Sequence, residues 1–194
     1  MANPGFEIVA FAASAGGLKA LTEVLGGLPA GFGASVVVVQ HLDPRHRSLM
    51  ADILSRRTPL RVKQAAEGDR LEAGTVFIAP PNRHLLVNSD ATLSLSQTEL
   101  VHFVRPSADL LFESVAASHR ERAICVVLSG SGSDGAMGVR AIKKTGGTVI
   151  VQEPSTSEFA GMPGAAEHTG QADFVLPLVE IAPAIVTLVS GGGS

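Results

Sequence analysis

The sequence contains no tryptophan and no tyrosine, and its 194 residues include a single cysteine. One cysteine, Cys125, cannot form an internal disulfide, so we expect the protein to occupy a reducing compartment. A block of like charge is also missing, because 15 Lys and Arg residues are spread among 18 Asp and Glu residues, for a net charge of −3. This balance gives no indication that nucleic acid or an anionic membrane surface is a partner.

Signals for export, membrane insertion and metal binding are missing as well. The N-terminus lacks the basic region and apolar core of a signal peptide. The longest apolar tract, residues 174–189, is interrupted by Pro177, Glu180 and Pro183, whereas a membrane helix needs about 18 or more uninterrupted apolar residues. The six histidines are scattered rather than clustered at ligand spacing. We therefore expect a cytoplasmic protein that needs no metal or cofactor.

Apolar runs rich in β-branched residues alternate with segments of helical period along the chain. The predicted strands cover 8–11, 36–39, 75–79, 123–128, 148–152 and 174–176. The predicted helices cover 18–25, 48–57, 108–118, 137–144 and 181–189. Strands that are apolar throughout and alternate with amphipathic helices predict a parallel sheet that is covered on both faces.

Two further features complete the picture of an α/β protein. Residues 84–88 and 92–96 flank a polar turn and predict an antiparallel hairpin. Hydrophobic residues make up 45% of the chain, which is enough for one sizeable core, and no change in composition marks a linker. We therefore predict one domain over residues 1–190, followed by a flexible tail at 191–194.

Three polar residues each lie just beyond a separate predicted strand. Ser14 follows the first strand, His41 follows the second, and Asp134 follows the strand that ends at Leu128. The carboxyl ends of parallel strands meet at one edge of a sheet, where open α/β sheets place their chemistry. A hydroxyl, an imidazole and a carboxylate gathered there are the components of a nucleophilic hydrolase. We predict that Ser14 is the nucleophile, His41 the general acid and base, and Asp134 the acid that orients the imidazole.

Simpler explanations exist for the first two residues. Ser14 lies in a turn of small residues before a helix, where a serine commonly serves only as the N-cap. His41 could be an ordinary loop histidine, since the chain has five others. The same turn nevertheless directs the free N–H groups of a helix N-terminus toward Ser14, and such groups stabilise a developing oxyanion.

The loop around Asp134 allows a different interpretation. Gly130, Gly132 and Gly135 match the dinucleotide fingerprint G-x-G-x-x-G between a strand and a helix, and Glu153 follows at a suitable distance. Asp134 would then place a carboxylate beside the bound pyrophosphate, which costs several kcal/mol at an effective dielectric of about 20. The fingerprint also usually opens the first βα unit of its domain. Dinucleotide binding is therefore the less favoured alternative.

Six motifs occur in a fixed order along the chain. They are FAASAGGL from residue 11, VVQHL from residue 38, VFIAPP from residue 76, RPSADLLF from residue 105, LSGSGSDGA from residue 128 and FAGMP from residue 159. Together they resemble the catalytic domain of the bacterial chemotaxis protein-glutamate methylesterases (CheB type). The resemblance implies a doubly wound, mostly parallel, Rossmann-like three-layer α/β fold with a short antiparallel hairpin. It also implies that Ser14, His41 and Asp134 form the triad.

The activity that the resemblance implies is hydrolysis of γ-glutamyl methyl esters on the cytoplasmic helices of chemoreceptors. Members of the family also deamidate particular receptor glutamines. Both reactions transfer a glutamyl acyl group to water through a covalent intermediate on Ser14. The leaving group is methanol from the ester and ammonia from the amide.

Two residues depart from the family pattern. The family usually has Thr at the position of Ala15 and Met at the position of Ser131. The backbone N–H groups of Ala15, Gly16, Ser131 and Gly132 are the predicted oxyanion donors, and a backbone N–H survives substitution of the side chain. The two changes are nevertheless the ground for a second hypothesis, in which the domain binds protein but has lost turnover.

A further departure concerns the domain that usually precedes this one in the family. The usual member has an N-terminal phosphoacceptor receiver domain, which covers the active site until it is phosphorylated. We expect this domain to be absent here, because Met1 lies just before the first predicted strand. We therefore expect either an excised catalytic domain or a stand-alone enzyme that is regulated in another way.

Overall fold

The computed structural model describes residues 5–41, 49–101 and 104–191. The strands are β1 (Ile8–Ala13), β2 (Ser35–Gln40), β3 (Arg61–Gln64), β4 (Thr75–Ile78), β5 (His84–Val87), β6 (Leu93–Ser96), β7 (Ala123–Val127), β8 (Thr148–Gln152) and β9 (Phe174–Leu176). The α-helices are α1 (Gly17–Gly26), α2 (Met50–Ser55), α3 (Ala108–His119), α4 (Ala136–Lys144), α5 (Gly161–His168) and α6 (Leu178–Gly191).

Seven of the strands form one parallel sheet in the order β3-β4-β2-β1-β7-β8-β9. Strands β5 and β6 pair with each other as a separate antiparallel hairpin. The direction in which the sheet grows reverses between β1 and β7, so a crevice forms beyond the carboxyl ends of these two strands. The predicted doubly wound parallel sheet and the predicted hairpin are both confirmed.

The central strand β1 is buried along its whole length because helices cover both faces of the sheet. Its residues Ile8, Ala10 and Ala12 pack into a core that also contains side chains of α3, α4 and α5. The alternate residues Val9, Phe11 and Ala13 pack into a second core that contains side chains of α1, α2 and α6. This alternation follows from the two-residue period of a strand, and it explains why the strand sequences are apolar throughout.

Two elements of the fold were missed by the sequence prediction. Strand β3 has the sequence RVKQ and lies at the edge of the sheet with both of its terminal residues exposed, so it carries no apolar run. Helix α5 contains two glycines and a proline, which normally indicate a loop. Helix α6 is also longer than predicted, since it begins at Leu178 and continues to Gly191 through Pro183. The rest of the predicted tail, residues 192–194, lies outside the described residues.

Two helical glycines provide a test of the packing between α3 and α4. A Cβ added at Gly138 of α4 would lie 2.6 Å from Cβ of the fully buried Phe112, whereas a Cβ added at Gly164 of α5 would meet no atom within 4 Å. We expect Gly138→Ala to lower the free energy of unfolding by about 1–3 kcal/mol through overpacking. Gly164→Ala should raise it by about 0.5–1 kcal/mol, because alanine favours a helix over glycine. Urea denaturation measures the free energy of unfolding of both variants. Equal changes in the two would contradict this account.

Candidate active site

The ends of β1, β2 and β7 are tied together by backbone hydrogen bonds. The N–H of Ser14 donates to the carbonyl of Ser129 at 3.0 Å, and the N–H of His41 donates to the carbonyl of Ala13 at 3.1 Å. Ser14, His41 and the loop that carries Asp134 therefore emerge at the same edge of the sheet. This is the edge at which the direction of the sheet reverses, as the sequence predicted for the three residues.

The turn after β1 leaves Ser14 half-buried and fixes its backbone by hydrogen bonds. The Ser14 carbonyl accepts hydrogen bonds from Gln40 Nε2 at 2.6 Å and from the N–H of Gly17 at 2.8 Å. Gly16, not Ser14, is the N-cap of α1, and no side chain of the described residues caps this helix. Within the described part of the chain, the Ser14 hydroxyl makes no hydrogen bond. The capping explanation for Ser14 therefore does not fit the structure.

Two glycines allow the turn and the β7–α4 loop to approach each other. Gly16 has a φ of 74°, and a Cβ there would lie 2.7 Å from Ser129 Oγ. A Cβ at Gly130 would lie 2.9 Å from Cβ of Ser14 and would collide with Sδ of Met162. The backbone of the β7–α4 loop is thus in direct contact with the serine, and only a residue without a side chain fits between them.

Ser129 is a polar residue that the sequence analysis did not single out, although it connects the loops around Ser14. Its hydroxyl donates to the carbonyl of Ala15 at 2.8 Å and accepts from the N–H of Phe159 at 3.0 Å. Its own N–H donates to Oε1 of Gln152 at 2.9 Å. The residue is buried, with 1% of its surface exposed, so these bonds satisfy it and fix three chain segments relative to one another.

His41 and Asp134 form the hydrogen bond that the sequence predicted. Nε2 of His41 lies 2.7 Å from Oδ2 of Asp134, and the two side chains are 15% and 4% exposed. An imidazole that donates its Nε2–H to a carboxylate keeps Nδ1 as the nitrogen that can accept a proton. The pair can therefore act as a general base of fixed orientation.

Asp134 also accepts hydrogen bonds from the N-terminus of α3, which the sequence analysis did not foresee. Its two carboxylate oxygens accept from the N–H groups of Ala108 at 2.6 Å and Asp109 at 3.0 Å, and from Oγ of Ser107 at 3.1 Å. Burial pushes the pKa of Asp134 upward, but the hydrogen bond from His41 and those from α3 outweigh it and hold the pKa below its usual range. A negative charge at the positive end of a helix dipole is also favourable.

The start of α3 is itself held by a buried histidine. Nδ1 of His84 accepts the N–H of Ser107 at 3.1 Å, and Nε2 of His84 lies 3.0 Å from the carbonyl of Glu99. The first contact requires Nδ1 to be unprotonated, so Nε2 carries the hydrogen and donates it. His84 is fully buried on the hairpin, and it therefore fixes the N-terminus that Asp134 binds.

The four predicted oxyanion donors lie in the two loops that meet at Ser14. Ala15 and Gly16 are half-buried, whereas Ser131 and Gly132 are exposed. In the described ranges, none of their backbone N–H groups donates a hydrogen bond to another residue. These groups are thus free to bind a substrate oxygen, and their role as donors remains a prediction.

The hydrogen bonds at the N-terminus of α4 are evidence against the dinucleotide alternative. A bound pyrophosphate needs free N–H groups at the helix N-terminus. Here Oδ1 of Asp109 accepts the N–H of Gly135 at 3.0 Å and the N–H of Gly138 at 2.8 Å. The carboxyl group of Asp109 already occupies the place that the phosphate would take.

A cavity of about 510 Å³ borders the turn after β1. Gly16 and Ser129 line it, as do the charged residues Lys19, Glu23 and Glu158, whereas the three predicted catalytic residues do not. Among the described residues, no group of three His, Cys, Asp or Glu side chains could hold a metal ion. No helix in the described part of the chain is long and apolar enough to cross a membrane.

Comparison with known proteins agrees with this architecture. The sequence model of the CheB methylesterase family matches residues 9–185. The crystal structure of the Thermotoga maritima CheB methylesterase catalytic domain superimposes with a TM-score of 0.91 at 34% sequence identity. The match covers 95% of this chain and 100% of that domain.

Two relatives indicate how this fold is used in longer and shorter proteins. A Leptospira interrogans protein, provisionally named a protein-glutamate methylesterase/protein-glutamine glutaminase, is 40% identical over 183 residues, which cover 94% of this chain and 95% of that protein. A Moorella thermoacetica protein-glutamate methylesterase/protein-glutamine glutaminase is 43% identical over 195 residues, which cover 98% of this chain and 46% of that protein. The chain therefore spans nearly all of the first relative and less than half of the second.

The depressed pKa of Asp134 makes a prediction about stability and pH. Because the folded pKa lies below the unfolded value of about 3.8, the ionised carboxylate stabilises the fold above that value. This contribution should be lost as the pH falls from about 3.8 through the lower folded pKa. We expect Asp134→Asn to lower the free energy of unfolding by about 1–3 kcal/mol at neutral pH, because buried donors lose their acceptor.

Denaturant unfolding of wild type and Asp134→Asn across this pH range measures the effect. The difference between them should shrink on acidification. Glu113→Gln is the matched control, since it removes an exposed carboxylate from α3. A difference between wild type and Asp134→Asn that stays constant with pH would contradict an ionised Asp134.

Proposed function

The chain belongs to the CheB methylesterase family, and from this we propose that it is a serine hydrolase that cleaves γ-glutamyl methyl esters on a protein substrate. The observation that carries the proposal is the 2.7 Å hydrogen bond between His41 Nε2 and Asp134 Oδ2 at the sheet edge from which Ser14 emerges. The names of the relatives support the same activity, and they add deamidation of protein glutamine as a second reaction.

Acylation begins with the transfer of the Ser14 hydroxyl proton to Nδ1 of His41. The Ser14 oxygen attacks the γ-carbonyl carbon of the substrate, and the carbonyl oxygen becomes a tetrahedral oxyanion. His41 then returns its proton to the leaving oxygen, and methanol departs from the ester. With a glutamine substrate the proton goes to the amide nitrogen, and ammonia departs.

Asp134 stabilises the imidazolium that exists between these two proton transfers. The hydrogen bonds that hold its pKa low keep it ionised at neutral pH, so the imidazolium faces a full negative charge. The hydrogen bond to Nε2 also fixes the orientation of the ring. The N–H groups of Ala15 and Gly16, with those of Ser131 and Gly132, are proposed to bind the oxyanion.

Deacylation repeats the same steps with water as the nucleophile. His41 takes a proton from water, the hydroxide attacks the acyl carbon, and the Ser14 oxygen leaves with the proton from His41. The product is a glutamate side chain, and the free enzyme is restored. Neither half-reaction needs a metal or cofactor to move a proton, because His41 carries each proton from the nucleophile to the leaving group.

The proposed substrate is a methylated side chain that projects from the cytoplasmic helices of a chemoreceptor, as the family resemblance implies. A site at the open rim of a sheet suits a side chain presented on the surface of another protein. The cavity beside Gly16 and Ser129 has room for the neighbouring residues of such a substrate. We assign this activity to one catalytic domain over residues 1–190.

Replacing the nucleophile tests the proposal. We expect Ser14→Ala to lower the rate of ester hydrolysis by at least about a thousandfold, because the covalent route is lost. The measurement is methanol release from methylated receptor. Ser89→Ala, at the exposed turn of the hairpin, is the control and should leave the rate unchanged.

A fluorophosphonate probe separates the enzyme from a protein-binding module that has lost turnover. Wild type should be labelled at Ser14, and His41→Ala should be labelled much more slowly, since the serine then has no base. A wild-type protein that resists the probe, or a Ser14→Ala variant with near-normal methanol release, would show that the assignment is wrong.

A further inference from the structure

Asp109 is a buried carboxyl group that the proposed mechanism does not use. It lies in the first turn of α3 and is 3% exposed. Its Oδ1 accepts the N–H groups of Gly135 and Gly138, and these residues begin α4 directly after Asp134. Its Oδ2 is buried, and within the described ranges it has no donor to accept from.

The two buried carboxyl groups lie against each other. The backbone N–H of Asp109 donates to Oδ1 of Asp134 at 3.0 Å, so the two residues are in direct contact. Burial raises the pKa of Asp109, and the negative charge of Asp134 raises it further. Two negative charges on neighbouring buried groups repel each other strongly, so ionisation of both is unfavourable.

The hydrogen-bond donors decide which group carries the charge. Among the described residues, Asp134 accepts from four donors, which are the His41 imidazole, the hydroxyl of Ser107 and the N–H groups of Ala108 and Asp109. In the same part of the chain, Asp109 accepts from two N–H groups, both at Oδ1. The charge is therefore better stabilised on Asp134, and a proton on Oδ2 of Asp109 removes the cost of a buried oxygen without donors.

We propose that Asp109 is a positioning residue that works as a neutral carboxylic acid. Its Oδ1 accepts two N–H groups at the start of α4, which follows Asp134 directly, so this residue fixes the loop that presents Asp134 to His41. Resting on the proposed function, this assigns the single negative charge of the pair to Asp134, where it stabilises the imidazolium. An ionised Asp109 would repel Asp134 and release the loop.

Two substitutions separate the neutral acid from its alternatives. Asp109→Asn keeps the shape, the acceptor for Gly135 and Gly138, and a donor in place of Oδ2–H. It should retain kcat for ester hydrolysis within about threefold. Asp109→Ala removes the contacts to α4 and should lower kcat by about 10–100-fold with little change in KM, because a small displacement of a reacting group has such an effect. Glu113→Gln on the exposed face of α3 is the control and should leave kcat unchanged.

Proton NMR tests the hydrogen bond between His41 and Asp134 without the need for turnover. The proton shared by His41 and Asp134 should give a low-field proton NMR signal that disappears in Asp134→Asn. We expect this signal to persist in Asp109→Asn and to be lost or shifted in Asp109→Ala. The carboxyl ¹³C signal of Asp109, identified by its loss in Asp109→Asn, should show the protonated form at neutral pH.

These outcomes also distinguish this inference from the proposed function. A protein without esterase activity that shows both NMR results would refute the function and leave the positioning by Asp109 intact. An Asp109→Asn variant as impaired as Asp109→Ala, in rate or in the low-field signal, would overturn the neutral-acid role. An Asp109 carboxyl signal of the ionised form at neutral pH would overturn it as well.

Discussion

The carboxylate of Asp134 is the interaction on which the rest of the site depends, because it joins segments that are far apart in the chain. It accepts the imidazole N–H of His41 and two backbone N–H groups at the start of α3. A carboxylate that is buried this deeply is stable only when such donors replace the water it has lost. The hydrogen bonds that stabilise the charge therefore also fix the imidazole relative to α3. The orientation of His41 thus follows from the need of a buried carboxylate for hydrogen-bond donors.

The topology of the sheet supplies the place for this interaction. The sheet reverses direction between β1 and β7, so the loops that follow these strands diverge and leave a crevice. Small residues then let the loops come close, since Gly130 contacts Ser14 directly and Gly16 lies against Ser129. A strand pair with larger residues in these turns could not bring a serine and a helix N-terminus into the same small space.

Much of the fold could be predicted from the sequence. The apolar strands and amphipathic helices could be predicted because hydrophobic residues follow a different pattern along the sequence in each. The family resemblance is also confirmed. Strand β3 and helix α5 were missed because a polar edge strand and a helix with glycines and a proline carry no such signal. For the site, the order of the strands predicted that Ser14, His41 and Asp134 would share an edge, and their catalytic roles remain a prediction. Ser107, Asp109, His84 and Ser129 contact their partners through long-range hydrogen bonds, which no local pattern indicates.

By itself the sequence determined which chemical groups follow which strands, because the hydrophobic pattern and the turn residues depend only on residues that are close together in the chain. Only the tertiary structure decided which groups touch. The pairing of Asp134 with His41 spans 93 positions, and its contacts with α3 span 25–27 positions. Such contacts form when the sheet and helices pack. Packing also removes the water that would otherwise give Asp134 and Asp109 similar pKa values. The different environments of Asp134 and Asp109 therefore exist only in the folded protein.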